Sequence, residues 1–309
     1  MYVGAKSSLL LGIETTFGTP ATLRYRIPFT SESINYKLDV QTSEALLGFR
    51  GPKALVPGKL GVEGTIEAEA YPETTGVLFY LALGKQETAT DHTKITPIGL
   101  TEDLPSATIQ VDHGGQKIHY TGVKVNQLTF SGSVGAIPKL SLDVVGVDEI
   151  MGGATEGTLT VPGDEPFYFK ELKLYTDQFV TTTDLYSSIE LTINNNLDTD
   201  DYRLDGTGKR KSLPAQQLEV TGRIDIIFAS SVVSGEYSKF KNLTDAALGI
   251  ELQKGTGKIQ IYLPRVRFTE ITHDVRGPEK IVLNASFTAL LPTTGSIIEV
   301  RDYVDTNGY

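Results

Sequence analysis

The residues able to do chemistry are few. Of the histidines His92, His113, His119 and His273, only His113 and His119 share a turn, beside Asp112. Two imidazoles and a carboxylate could start a metal site, but no third strong ligand stands near them, and surface hairpin histidines are far commoner than ligands. Asp198, Asp200, Asp201 and Asp205-Gly206 bunch oxygen donors as a calcium loop does. Their spacing departs from the EF-hand pattern and no bidentate Glu closes it, so turn chemistry is the better reading. Gly206-x-Gly208-Lys209 and Gly255-x-Gly257-Lys258 lack the frame and the strand-to-helix setting of a phosphate loop. Gly132-Ser133-Val134-Gly135 is not a nucleophile elbow. Asn242-Leu243-Thr244 and Asn284-Ala285-Ser286 match a glycosylation acceptor, which matters only in a secreted chain. No catalytic residue, metal site or cofactor site emerges.

Composition narrows the classes further. The chain has 309 residues and no cysteine, which excludes disulfides, thiolate–metal sites and thiol nucleophiles. Its net charge of −10 argues against gripping nucleic acid by neutralising phosphates. No apolar run has the length to cross a bilayer. The start, Met1 to Gly12, lacks a full signal-peptide core, so synthesis in a cytoplasm without export is the plain expectation.

The elements that would position any site have a period of two. Ile34, Tyr36, Leu38 and Val40 alternate with polar residues; so do Val62, Gly64, Ile66 and Ala68, and Ile189, Leu191 and Ile193. Such runs read as half-buried antiparallel strands. Ile109 and Val111 pass through His113-Gly114-Gly115 to Ile118 and Tyr120 as a hairpin, and Ile250 and Leu252 pass through Lys254 to Gly257 to Ile259 and Ile261 as another. Pro72 at a first helical turn and Gly84 as a left-handed cap bracket one helix. A second is expected from a Ser234 cap, with Tyr237, Phe240, Leu243 and Ala247 on one face and Gly249 at its end.

These elements recur in one order. Leu60, Val62, Gly64 and Ile66 reappear as Leu218, Val220, Gly222 and Ile224; Ala82-Leu83-Gly84 as Ala247-Leu248-Gly249; Lys117-Ile118 as Lys258-Ile259. Two closing runs, Val123–Leu128 and Leu140–Val144, return as Val266–Ile271 and Ile281–Phe287. The fold class expected is mainly β: two tandem antiparallel β-barrel or sandwich domains, each with one flanking helix. The expected boundaries are an arm at 1–30, domains at 31–150 and 166–309, and a linker at 151–165. A doubled unit supplies two similar edges, and such units build rings.

Two long loops, Gly48 to Gly61 and Asp198 to Gln217, fall between the first and second strands of each copy. Loops of this length in compact domains are usually functional or disordered. Polar faces repeat as well: Glu63, Thr65, Glu67 and Glu69 on one strand, Glu219, Thr221, Arg223 and Asp225 on its equivalent. Two readings stay open, an ordinary solvated face or the lining of a channel whose like charge keeps DNA from sticking.

The stretch Gly12-Ile13-Glu14-Thr15-Thr16-Phe17-Gly18-Thr19-Pro20-Ala21 resembles the start of tail tube proteins of long-tailed bacteriophages. Val62-Glu63-Gly64-x-Ile66 with the helix after it, and Tyr120-x-Gly122-x-Lys124-Val125-Asn126-x-Leu128, are similar too. The resemblance implies a non-enzymatic structural virion protein of the duplicated type, also shared in fold by type VI secretion tubes. It implies three chains per pseudo-hexameric ring, rings stacked into a hollow tail tube, and DNA passing through without specific binding. Implied partners are the chain itself and other tail proteins: tape measure, terminator, distal tail protein and, in contractile tails, sheath; no membrane is implied. The channel candidates are then Glu63, Thr65, Glu67, Glu69, Glu219, Thr221, Arg223 and Asp225, with Asp143 and Asn284 from Lys139–Val145 and Lys280–Thr288. Ring-stacking candidates are Phe49, Arg50 and Lys53 in Leu47–Lys59, and Tyr202, Arg203, Lys209, Arg210 and Lys211 in Asp201–Pro214, with Met1–Pro28 as an arm to a neighbour. The basic run Lys209-Arg210-Lys211 could meet acidic residues of the next ring or simply be solvated. The alternative is a β-sandwich adhesion or carbohydrate-binding module of a virion or cell surface. The lack of Trp and the placement of most Tyr and Phe within strand and helix patterns disfavour it.

Overall fold

The computed structural model describes residues 3–45, 48–163, 165–273 and 280–309. Met1 of the expected arm and Leu47 of the first long loop lie outside them, as do the side chains of Ser234 and His273. The first half runs β1 (Ser8–Ile13), β2 (Leu23–Ile27), β3 (Phe29–Glu32), β4 (Asn35–Thr42), β5 (Leu55–Glu69), α1 (Pro72–Leu83), β6 (Gly84–Thr88), β7 (Thr93–Pro97), β8 (Ala107–Asp112), β9 (Lys117–Ser133), β10 (Lys139–Gly146), β11 (Asp148–Met151) and β12 (Glu156–Thr160). The second half runs β13 (Leu172–Tyr175), β14 (Tyr186–Asn194), β15 (Glu219–Ile227), α2 (Ser230–Ser234), α3 (Glu236–Lys241), β16 (Ala246–Lys254), β17 (Gly257–His273), β18 (Val282–Ala289) and β19 (Glu299–Asp302). The chain is mainly β, its sheet is not closed on itself, and its layers are consistent with a β-sandwich.

The alternation read from the sequence becomes register. β5 pairs with β10, β10 with β9 and β8 with β9; in the second half β15 pairs with β18, β18 with β17 and β16 with β17, all antiparallel. Superposing Gly64 on Gly222 brings irregularities of pairing into coincidence. One extra residue enters opposite β5 between Phe29 and Ser31, and opposite β15 between Tyr186 and Ser188. Another enters β9 at Asn126 and β17 at Thr269. A third sits between Tyr120 and Val123, and between Leu263 and Val266. A bulge bends and twists its strand, so the two halves bend their strands at matching positions.

The two halves are joined by pairing. β9 uses one edge for β10 and the other for β14, with Phe130 opposite Leu191 and Thr129 opposite Thr192. One run of strands therefore reads β4–β5–β10–β9–β14–β15–β18–β17, with β3 beside β5 as well. β19 also pairs with β7, so the halves meet in a second place. Apolar residues from both, among them Phe79, Phe130, Phe268 and Phe287, form one buried cluster.

α1 matches its expected bounds. Pro72 stands at its first turn, and Gly84 closes it at φ 90°, a conformation costly for any residue with a Cβ. The second helix does not run to Ala247. Leu243 turns left-handed at φ 50°, and the Thr244 and Leu243 amides donate to the carbonyls of Lys239 and Phe240. Asp245 then accepts from Arg265 and Arg267 of β17, drawing the chain out into β16, where Ala247 and Gly249 lie. Two short helices stand where one was expected.

Residues 8–27, expected within an arm, form β1 and β2, and Leu9, Leu11, Leu23 and Ile27 are buried in the chain's own core. The expected linker carries β12, paired parallel with β2. Of the first long loop, residues from Leu55 onward are strand, paired with β4.

Candidate assembly surface

Three features outside the core stand out: a polar sheet face, a long pinned loop, and a projecting hairpin. Residues directly opposite each other in a sheet share a face. Thr65 lies opposite Asp143, Asp143 opposite Gln127, Gln127 opposite Asn194, Asn194 opposite Glu219, and Asp225 opposite Asn284. With strand alternation, all ten residues expected to line a channel fall on one face running across both halves of the chain. That face is hydrogen-bonded within itself. The Thr65 hydroxyl donates to Asp143 at 2.8 Å, Ser141 to Glu67 at 2.6 Å, Arg223 to Asn284 at 2.6 Å, and the Thr129 and Thr192 hydroxyls lie 3.2 Å apart. Most of the face is neutral and polar; among its charges, Glu63, Glu67, Glu69, Asp143, Glu190, Glu219 and Asp225 outnumber Lys139 and Arg223, so it is patterned with a net negative charge.

The second long loop is held inside the chain. Arg210 is buried; its guanidinium donates to the carbonyls of Val62, Gly146 and Thr199 and to the Glu63 carboxylate at 2.5 Å. Lys209 reaches Asp148 at 2.5 Å, and Lys211 lies 3.8 Å from Asp205. Tyr202 donates to the Leu60 carbonyl and lies under the Lys59 ammonium at 4.9 Å. Arg203 grips Asp201 with two nitrogens; that guanidinium and the Ser212 hydroxyl hold the Asp201 carboxyl below its ordinary value. The basic run thus meets acidic partners of its own chain. Glu63, a channel candidate by sequence, is also the partner of Arg210.

The first long loop is the tip of the β4–β5 hairpin. Leu38, Val40, Leu55 and Val56 are exposed along it, Phe49 is 74% exposed, and Lys53 lies 5.8 Å over the Phe49 ring. Arg50 is exposed beside them.

Residues weighed for metal chemistry have structural work. His119, buried, donates from Nδ1 to the Gly152 carbonyl at 2.8 Å, and Asp112 accepts the Gly115 amide. Asp198 accepts the Asp200 amide and Asp205 the Thr207 amide and hydroxyl, the short-range bonds that make Asp a turn residue.

Two residues in the recurring stretches gain a physical reason. Glu14 is buried and accepts from the Gly18 amide at 2.8 Å, the Ser106 hydroxyl at 2.7 Å, the Thr108 hydroxyl at 2.9 Å and the Gly122 amide at 2.9 Å. Lys124, also buried, donates to Asp103 at 2.6 Å and to the Leu213 carbonyl at 3.1 Å, and lies 5.1 Å over the Phe17 ring. One ammonium ties the opening segment, a surface loop and the second long loop together. Neither role was readable from spacing, because the partners are distant in sequence.

A family model described as phage tail tube protein matches residues 4–289, nearly the whole chain. No curated protein matches it significantly. The chain belongs to the phage tail tube protein family. It is accordingly a structural protein of the virion tail, from a family not known for enzymes.

Proposed function

We propose that this chain assembles with copies of itself into rings that stack as the hollow tail tube, through which phage DNA passes to the host. The observation that carries the reading is the β9–β14 joint. Two like modules already meet edge to edge within one chain, and their polar faces run on without a break. The strands equivalent to the joined ones are β17 at the far end and β3–β4 at the near end. Among the described residues, β4 pairs only with β5, and residues 267–273 of β17 have a strand partner only in β18. Repeating one contact around an axis closes a ring when the rotation permits. Three chains would give six modules, the pseudo-hexamer implied by resemblance. The polar face, net negative, would line the bore and repel the DNA backbone, while the β4–β5 hairpin and the 198–217 loop would meet the adjoining ring. Tape measure, terminator and distal tail proteins are the expected neighbours at the ends, the protein being made in the host cytoplasm.

Negative-stain electron microscopy of the concentrated, purified chain tests this. Rings or tubes with a central bore are expected. Compact monomers at every concentration and salt would overturn the proposal.

A further inference from the structure

The internal joint supplies a template for the contact between chains, and the bulges fix its alignment. Asn126 of β9 corresponds to Thr269 of β17, so Gln127, Leu128 and Thr129 correspond to Glu270, Ile271 and Thr272. The bulge between Phe29 and Ser31 corresponds to that between Tyr186 and Ser188, and Asn35 and Lys37 lie opposite Glu63 and Gly61 as Thr192 and Asn194 lie opposite Thr221 and Glu219. Thr192, Ile193 and Asn194 therefore correspond to Asn35, Tyr36 and Lys37. In the internal joint Asn194 faces Gln127, Ile193 faces Leu128 and Thr192 faces Thr129.

The geometry points to an antiparallel seam between β4 of one chain and β17 of another copy, with Lys37 opposite Glu270, Tyr36 opposite Ile271 and Asn35 opposite Thr272. This deepens the ring reading and rests on it. The occupant is a second copy because the corresponding strand pair, β14 with β9, is already formed inside each chain. Side-chain chemistry agrees at each position. Ile193 and Leu128 are fully buried in the internal joint, whereas Tyr36 is 37% exposed and Ile271 only partly covered at the free edges. Where the internal joint has a neutral Asn–Gln pair, the seam has a cation facing an anion. Opposite charges across a strand pair stabilise it and like charges oppose it.

The chain has no cysteine, which gives a clean cross-linking test. Asn35→Cys with Thr272→Cys should give chains linked covalently into multimers on oxidation of the assembled protein. Thr129→Cys with Thr192→Cys should close within one chain, as a positive control. Tyr36→Cys with Thr272→Cys should not link, because a one-residue slip puts the thiols on opposite faces. Lys37→Glu alone should lower the assembled fraction about tenfold, and Lys37→Glu with Glu270→Lys should restore it. Assemblies that form without the 35–272 link, or a charge exchange that fails to rescue, would overturn the seam while leaving ring formation intact. A wild-type chain that never assembles would overturn both.

Discussion

The Arg210 guanidinium occupies the space that a side chain at position 61 would need. A Cβ built on Gly61 would lie 2.2 Å from Arg210 Nη1. The glycine lets a charged group from the second long loop enter between β5 and β10, where the Val62 and Gly146 carbonyls and the Glu63 carboxylate receive it.

Arg210→Ala should therefore cost about 2–4 kcal/mol, because buried carbonyls lose charge-assisted hydrogen bonds without gaining water. Gly61→Ala should cost a similar amount by expelling the guanidinium. The two should not add: in the Arg210→Ala background, Gly61→Ala should cost little. Urea unfolding of the unassembled chains measures the cycle, and additive losses would contradict the geometry. Reversing Lys209, Arg210 and Lys211 together to Glu should strike folding first, through Arg210, whereas Lys211→Glu alone should leave the fold intact.

Glu14→Gln should destabilise the opening segment. The carboxylate accepts from two amides and two hydroxyls, and an amide side chain would point its own N–H groups at two of those donors. A loss of about 2–4 kcal/mol is expected, with faster proteolysis between Thr15 and Thr22 than elsewhere. Limited digestion followed by mass spectrometry reads the site of first cleavage, and uniform cleavage would count against a local role.

Most strand positions were legible because one face of most strands is buried and alternation records it; β4, whose alternation of Tyr36, Leu38 and Val40 predicts a buried face, is instead exposed on both. Val62, Ile66, Ile189 and Leu191 sit in the core as their spacing requires. The recurrence of Leu60–Ile66 as Leu218–Ile224 was legible for the same reason, whereas Ala82-Leu83-Gly84 ends α1 and Ala247-Leu248-Gly249 lies inside β16, so that match was not structural. Pairing between β9 and β14 was not, since periodicity states which face is apolar but not which edge meets which. The role of Arg210 was not legible because a basic run offered only a contact with the next ring or a solvated face, and the one clue was a small residue, Gly61, on a strand far away in sequence. Residues 8–27 were expected within an arm because the resemblance assigns Met1–Pro28 that role, and periodicity does not show that β1 pairs with β2 and β8 of the same chain. The stretch from Glu14 to Ala21 is the turn of a β1–β2 pair held by Glu14. The helix expected through Ala247 had a genuine helical spacing, and it was overridden by Asp245 binding two arginines of β17.

Stability should depend on pH through Asp302. The Tyr309 hydroxyl and the Val304 amide donate to its carboxyl, Gly76 of α1 leaves the room for both side chains, and burial pushes the carboxyl up from 3.8 to about 6. Burial pushes the Tyr309 phenol up as well. A carboxyl whose folded value lies above its unfolded value favours the fold when protonated. Its contribution is full below about pH 4 and is lost as pH rises through about 6. Asp302→Asn removes that dependence. Wild type should lose about 3 kcal/mol relative to Asp302→Asn from well below pH 4 to well above pH 6, as read by urea unfolding across the range; parallel curves would refute the assignment.

The β4–β5 hairpin gives the sharpest separation of fold from assembly. A two-stranded ribbon is marginal in water by itself, and this one exposes Leu38, Val40, Leu55 and Val56 to solvent. An apolar ribbon with open edges is an aggregation hazard unless a specific surface covers it; on the tube reading that surface is the next ring. Val40→Glu with Val56→Glu should leave the melting temperature within about 2 °C of wild type, because both side chains are already solvated in the single chain. Both residues lie beyond the Lys37–Glu270 seam, so rings should still form. Stacking should fail, leaving single rings or short stacks where wild type gives long tubes. Electron microscopy counts both populations in one sample, and mutant tubes of wild-type length would remove the hairpin from the stacking contact.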